Sequence, residues 1–470
     1  MTEIKNEKSE IGVVGLGAMG ANLARNFASR KIKTRVFNRT FSKTKTFLEK
    51  YKNKFLDGDE LIKNFVQNIE RPRKILLMVK AGAATDATID AILPFLESGD
   101  ILIDGGNSHF TDTEKRENFL NKKNVQFIGL GVSGGEDGAL FGPSLMAGGK
   151  KSALDAVFPL LEKIAATDFS GGKCVGKFEN RGAGHFVKMV HNGIEYAQMQ
   201  FLAESFWLLK NSGKSFLEIA DIFEKWNAGK LKSFLVELSA KICRKKDPRG
   251  DGFLLEKVLD AAGQKGTGRW TVAAALDFGV AVPTISAALD ARTFSAQKSF
   301  RVKCSESKKI SQKVSVEKFS ANFSVENLEK ALFSAMILAY AEGFSLLATA
   351  AREKNWNFDF AEISRIWQGG CIIRAELLKT FQKFFAKNPE KSLFENPEIF
   401  AAISEMREIL HFSAAKFLPT PAFFAAFSEI TQIANARGSA HFLQGLRDAF
   451  GAHTFRRTDA DGIFHEKWEK

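Results

Sequence analysis

The chain has 470 residues and a net charge of +13, with 45% hydrophobic and 26% charged residues. That length exceeds what one hydrophobic core usually supports, and the balance is that of an ordinary globular protein, so two or more domains are expected and a disordered, fibrous or disulfide-stapled chain is excluded. The positive charge would draw any anion, but Lys and Arg are scattered rather than gathered in a basic block, so it reads as a mixed solvated surface with no nucleic-acid or membrane partner.

The opening stretch MTEIKNEKSE is charged and lacks an apolar signal core, and no apolar run reads as long enough to span a bilayer. Cys174, Cys243, Cys304 and Cys371 are far apart with no CxxC pair, which argues against a zinc site or a disulfide framework. The expectation is a cytoplasmic protein with no metal. Phe occurs 44 times and Tyr three times, a bias for which the sequence offers no physical reason.

Residues 1–181 read as a dinucleotide-binding domain. From Ile11 a β-prone run enters Gly15-Leu16-Gly17-Ala18-Met19-Gly20, a GxGxxG turn that opens a helix-like segment. In such a turn the first glycine bends the chain, the second lets backbone approach a pyrophosphate, and the third lets helix pack on strand, with the helix N-terminus facing the anion. The second strand ends at Asn38-Arg39-Thr40. An NAD enzyme usually carries an acid there for the ribose hydroxyls; a cation without that acid suits a 2′-phosphate, so NADP is favoured.

Further apolar runs at 75–79, 101–104 and 125–131 read as buried parallel strands, giving an α/β, Rossmann-type doubly wound sheet. Three of the loops at their ends are unusual. Val79-Lys80-Ala81-Gly82, Asp104-Gly-Gly-Asn107-Ser108 and Gly131-Val-Ser133-Gly134-Gly135-Glu-Asp-Gly138 carry small residues and exposed amides where doubly wound sheets bind ligands.

After Arg181-Gly-Ala-Gly184 helical periodicity takes over, and residues 182–440 read as a large all-α domain. In the run from Lys188 to Tyr196, Lys188, His191, Asn192, Glu195 and Tyr196 fall at i, i+3, i+4, i+7 and i+8, the spacing of one helical face. A polar stripe of that kind is either a solvated surface or the wall of a site. Ala203-Glu-Ser-Phe-Trp-Leu-Leu209 is echoed by Ala341-Glu-Gly-Phe-Ser-Leu-Leu347, and Trp226 with Gly229 by Trp367 with Gly370, at offsets of 138 and 141 residues. Those echoes suggest an internal duplication, with Arg301 to Lys318 as a polar connector between the copies. The loop Gly263-Gln-Lys265-Gly-Thr267-Gly268 fails the P-loop pattern but can hold a phosphate through amides, a cation and a hydroxyl. Residues 441–470 show no clear apolar stripe and read as a C-terminal tail that needs a neighbour for order.

Read together, GLGAMG, NRT, VKAG, DGGNS, GVSGGEDGA, GPSLM, GAGHFVKMVHNGIEY, GQKGTG and RDAFGAHT follow in order from residue 11 to about 468, and the chain closely resembles the 6-phosphogluconate dehydrogenase family. The resemblance implies NADP-dependent oxidative decarboxylation of 6-phosphogluconate to ribulose 5-phosphate, a pentose phosphate pathway step. It implies Lys188 as the base and Glu195 as the acid. Asn107, Ser133, Gly134, Gly135, His191 and Asn192 match positions that hold the sugar carboxylate and hydroxyls. Tyr196, Lys265, Thr267 and Arg292 match phosphate ligands. The segments 15–20, 38–40 and 79–81, with Asn107, would bind the cofactor. Arg447 and His453 match residues that the partner subunit contributes, which implies a homodimer with a shared site. A smaller-substrate β-hydroxyacid dehydrogenase would explain GLGAMG and Lys188, but not Lys265, Arg292 and Arg447.

Overall fold

The computed structural model describes residues 8–307 and 322–468. Its first part alternates strands and helices: β1 Ile11–Val14, α1 Ala18–Ser29, β2 Thr34–Phe37, α2 Phe41–Lys50, β3 Leu56–Gly58, α3 Ile62–Gln67, β4 Lys74–Leu77, α4 Ala83–Ile92, β5 Ile101–Asp104, α5 Phe110–Asn121, β6 Gln126–Ser133, α6 Gly135–Phe141, β7 Ser144–Gly149, α7 Lys151–Ile164 and β8 Val175–Glu179. The strands form one sheet in the order β3-β2-β1-β4-β5-β6-β7-β8. It is parallel through β6 and reverses at β7. Because β1 is flanked by β2 on one side and β4 on the other, the strand order switches direction at the glycine turn, where doubly wound sheets open a ligand crevice.

The sequence located β1, β2, β4, β5 and β6 but not β3, β7 and β8. In β7, Ser144-Leu-Met-Ala-Gly-Gly149 is fully buried without being uniformly apolar, so its composition carries little strand signal. The segment 131–138 is also more ordered than a loop: β6 runs through Ser133, Gly134 and Gly135 take positive φ of 118° and 64°, and α6 starts at once.

The second part is helical: α8 Ala183–Asn211, α9 Phe216–Asn227, α10 Phe234–Arg244, α11 Thr267–Asp277, α12 Pro283–Ala296, α13 Lys298–Ser305, α14 Val325–Lys354, α15 Phe360–Ile366, α16 Leu377–Lys387, α17 Ile403–Ala415, α18 Pro421–Ala434 and α19 Ala440–Gly451. Two long helices, α8 and α14, each open a five-helix unit, and the units exchange caps. The Glu204 carboxylate on α8 accepts from the N–H groups of Ala422 and Phe423 at the start of α18, at 2.9 and 3.0 Å. Reciprocally, Glu342 on α14 accepts from Thr284 and Ile285 at the start of α12, at 2.7 and 3.1 Å. Carboxylate and amide partners are each displaced by the same 138 residues between copies, and a proline begins both capped helices. An acidic acceptor satisfies the otherwise orphaned first-turn N–H groups. The duplication inferred from two short echoes is therefore a duplication of architecture, with each copy completing the other.

Three readings of the sequence need correction. Arg301 to Ser305 belong to α13, while residues 308–321 of the supposed connector lie outside the described residues. The helix α14 contains a window long and apolar enough to cross a bilayer by length and composition. But 83% of that window is buried within the protein, and its apolar surface serves as the axis of the helical core. The tail does carry an apolar stripe, Phe442, Leu443, Leu446 and Phe450 on α19, which points outward. Beyond α19 the chain folds back on the buried Asp448, whose carboxylate accepts from the Thr454 and Glu466 amides and the Trp468 indole at 2.8, 3.1 and 2.8 Å.

Burial pushes the Glu204 carboxyl up from 4.5 to about 7 despite the opposing backbone hydrogen bonds. The native state thus holds this proton more tightly than the unfolded chain, so the associated stability is full below pH 4.5 and is lost as pH rises through about 7. The linked free energy is on the order of 3 kcal/mol. Thermal melts should show wild-type stability falling across this window more steeply than that of Glu204→Gln; parallel curves would contradict the assignment.

Candidate active site

The site begins with missing side chains. Along β6, alternate residues 129, 131 and 133 point to one face. Along α8, residues 185, 188 and 191 occupy neighbouring positions. A Cβ on Gly129 would stand 2.8 Å from the His185 ring nitrogen Nδ1, and one on Gly131 would stand 2.5 Å from the Cβ of Lys188. On β7, a Cβ at Gly148 would meet the backbone nitrogen of Gly184 at 2.3 Å. Contacts this short are not tolerated, so α8 reaches this depth only against glycine. The third residue of the β6 face, Ser133, meets the third of the helix, with its Oγ 3.2 Å from His191 Nε2.

Docking on the sheet buries the polar stripe of α8. Lys188 is 7% exposed and His191 fully buried, and Asn192 and Tyr196 are also buried. The Lys188 side-chain nitrogen donates to Asn192 Oδ1 and lies 3.5 Å from His191 Nδ1. Glu195 Oε2 lies 3.9 Å from the same imidazole nitrogen. Burial lowers the proton affinity of Lys188, partly opposed by the charge of Glu195. It also raises that of Glu195, against the pull of Lys188 and Arg292. His191 is held well below its ordinary value by burial and then by Lys188, so it stays neutral. An amine driven toward its free-base form and a carboxyl driven toward its acid form, two turns apart on one helix, can act as base and acid in sequence.

Next to Glu195, the Arg292 guanidinium carbon sits 3.5 Å from the centre of the Tyr196 ring. Gly268 packs flat against that ring, where a Cβ would lie 2.5 Å from Cε1. Thr271 donates to the Met189 carbonyl at 2.8 Å and fastens the loop before it to α8. Thr267, Tyr196 and Arg292 are thereby gathered at one end of the stripe, while Lys265 is exposed on the loop beside them. Arg447 and His453 lie in the exposed tail, and among the described residues no hydrogen bond or ion pair joins them to this cluster.

At the sheet's crevice the glycine turn fits a dinucleotide. Gly15 has φ of 96° and a Cβ there would strike the Met78 carbonyl at 2.5 Å; one on Gly20 would strike the Gly15 carbonyl at 2.0 Å. Gly17 faces open space, which leaves its backbone approachable. The Asn38 side-chain oxygen accepts from the Leu16 amide at 3.2 Å, and Arg39 and Thr40 beside it are exposed. Lys80 and Asn107 are exposed at the ends of the next two strands.

Sequence reasoning passed over the segment Trp367–Cys371. The Trp367 ring meets His191 edge-on at 5.6 Å, and the Gly370 carbonyl accepts from Ser144 at 2.8 Å while lying against Gly134. Trp367 and Gly370 were visible only as markers of the repeat; the paired glycines between Trp and Cys were the available sign of a close approach. Cys371 lies close enough to influence Lys188 electrostatically, but burial holds its thiol at about 12 and therefore neutral.

A family model described as 6-phosphogluconate dehydrogenase, C-terminal domain, matches residues 184–468. A second, the NAD binding domain of 6-phosphogluconate dehydrogenase, matches residues 10–176. The chain is 45% identical over 471 residues to the NADP(+)-dependent, decarboxylating 6-phosphogluconate dehydrogenase of Bacillus subtilis, covering 98% of this chain and 100% of that one. A decarboxylating 6-phosphogluconate dehydrogenase of Lactococcus lactis is 44% identical, with 98% and 99% covered. A solved structure of the Plasmodium falciparum 6-phosphogluconate dehydrogenase, described in its apo form and in complexes with NADP+ and with 6-phosphogluconate, superposes with a TM-score of 0.92 at 37% identity, covering 98% of this chain and all of that one.

The glycine trough makes a direct test possible. Gly131→Ala forces α8 outward from β6, at a cost of about 1–3 kcal/mol. A displacement near 1 Å at the reacting groups costs on the order of 100-fold in kcat. The variant should fold, bind cofactor and lose most turnover, whereas Gly250→Ala, with no atom near its added Cβ, should match wild type. Near-normal kcat in Gly131→Ala would refute the role of the trough.

Proposed function

The chain belongs to the 6-phosphogluconate dehydrogenase family, and from that membership we propose that it catalyses the NADP-dependent oxidative decarboxylation of 6-phosphogluconate to ribulose 5-phosphate and carbon dioxide. The observation that carries the reading is the opposed environment of Lys188 and Glu195 on α8, one losing and the other gaining proton affinity through burial. In the division of labour, residues 1–181 bind the dinucleotide, 182–440 supply the substrate site and dimer contacts, and 441–470 reach the partner subunit.

Gly15 to Gly20, Asn38-Arg39-Thr40, Val79-Lys80-Ala81 and Asn107 would hold NADP, with Arg39 and Thr40 on the 2′-phosphate. Bound there, the nicotinamide would supply the acceptor for the hydride that leaves C3 of the sugar acid. Neutral Lys188 takes the C3 hydroxyl proton as that hydride leaves, giving a 3-keto acid. The resulting ammonium then donates a hydrogen bond to the new carbonyl oxygen. The carbon–carbon bond to the carboxylate breaks with its electron pair drawn toward that oxygen, and carbon dioxide departs. Protonated Glu195 returns a proton to the carbon that lost the carboxylate, completing the ketose. Ser133, Gly134, Gly135, His191, Asn192 and Asn107 orient the carboxylate and hydroxyls. Tyr196, Lys265, Thr267 and Arg292 take the phosphate, and Arg292 over the Tyr196 face is a preformed cation for it.

The outward apolar stripe of α19 and the exposed Arg447 and His453 fit a tail that lies across a second copy of the chain, adding those two residues to its partner's site. A cytoplasmic location accords with this metabolic role.

One experiment tests both base and shared site. Lys188→Met and Arg447→Ala are each prepared as pure protein and as a co-expressed mixture, with NADPH and released carbon dioxide followed from 6-phosphogluconate. Lys188→Met should be inactive and Arg447→Ala severely impaired. In mixed dimers one of the two sites regains an intact lysine and arginine, restoring a measurable fraction of wild-type turnover. Activity in Lys188→Met removes the base, and absence of complementation removes the shared site.

A further inference from the structure

The proposed reaction needs the loop that carries Val79 to Gly82 and the loop that carries Asn107 to hold fixed positions relative to each other. One buried side chain reaches both. Arg116, 6% exposed on α5, donates from Nη2 to the Gly82 carbonyl at 3.2 Å and from Nε to Asp86 Oδ1 at 2.7 Å, in the first turn of the helix after this loop. Its Nη1 turns the other way, 3.3 Å from Ser108 Oγ and 3.4 Å from Asp104 Oδ2.

Asp104 is fully buried and grips both flanks of Asn107: Oδ1 accepts from the Gly106 amide at 3.0 Å and Oδ2 from the Ser108 hydroxyl at 2.7 Å. Asn107 alone stands exposed between them. One turn before Arg116, Thr113 Oγ1 meets His185 Nδ1 at 2.7 Å, and His185 lies one turn before Lys188. A single face of α5 therefore touches both loops and the helix of the proposed base.

We propose that Arg116 is a positioning residue which, without touching either ligand, fixes the 79–82 loop and Asn107 to one another and so couples the cofactor site to the substrate site. The planar guanidinium suits the task, because it offers five donors in fixed directions to four acceptors on two segments. A lysine has one nitrogen and cannot span them. This inference rests on the function proposed above for the identity of the substrate, but its cofactor arm does not depend on turnover.

The test uses full-length Arg116→Ala and Arg116→Lys. NADPH affinity is measured by fluorescence titration without substrate, KM for 6-phosphogluconate and kcat by steady-state assay, and folding by thermal melts. With charge-assisted hydrogen bonds lost at both loops, the NADPH Kd and the substrate KM should each rise about tenfold. The fall in kcat should be smaller. Lysine should not rescue, and millimolar guanidinium ion should restore part of the loss in the alanine variant. A folded Arg116→Ala with both constants within about twofold of wild type, or with only one displaced, overturns the coupling. Should that variant fail to fold, Asp86→Ala removes the stronger of the two hydrogen bonds from Arg116 to the segment of the 79–82 loop and leaves those to Ser108 and Asp104: NADPH Kd should rise with substrate KM unchanged, and an unchanged Kd overturns the proposal. If wild type binds NADPH but ignores 6-phosphogluconate, the function fails while the cofactor arm is still measured.

Discussion

The depth at which α8 lies on the sheet governs the rest of this structure. Gly129 and Gly131 on β6 and Gly148 on β7 remove the side chains that would hold the helix away, and the closest contacts a Cβ would make there are all below 3 Å. This proximity matches a two-residue strand repeat to a three-residue helix repeat, so that Gly131 faces Lys188 and Ser133 faces His191. Closeness also excludes water. An amine deprived of hydration gives up its proton more easily, and a carboxyl similarly deprived keeps its own. The opposed tendencies of Lys188 and Glu195 are thus consequences of packing, and the neutral Cys371 thiol nearby does little to restore the charge on the amine.

Duplication explains how a helical domain encloses this stripe. The first copy supplies α8 and its polar residues; the second supplies Trp367 against His191 and the Gly370 carbonyl against the glycine loop after β6. The copies are held by exchanged carboxylate caps, Glu204 to α18 and Glu342 to α12. The second copy is also tied to the sheet domain, through Arg365 to Asp168 at 2.7 Å and Ser144 to the Ile366 carbonyl at 2.7 Å. Selection on one repeat for chemistry and on the other for enclosure would blur the sequence echo while preserving the geometry.

Much of this was legible in the sequence because it is local. GxGxxG, the Asn38-Arg39-Thr40 turn and the spacing from Lys188 to Tyr196 each express a backbone requirement within a few residues, and they emerge as a turn, an exposed strand end and one buried helical face. The parts that escaped are those set by distant partners. Nothing near residue 116 announces that its arginine joins two loops, and nothing near 129 and 131 says what the missing side chains make room for. The stripe of α19 was overlooked because its apolar residues alternate with His, Gln and Arg and stand exposed among the described residues.

Close packing, rather than a neighbouring cation, lowers the proton affinity of Lys188. An NMR titration of the labelled Lys188 side chain in the native protein, assigned by its loss in a Lys188→Met spectrum, addresses it directly. The account predicts an amine that titrates below the ordinary lysine value of 10.5. A Lys188 that titrates at or above that value in the folded enzyme would contradict it.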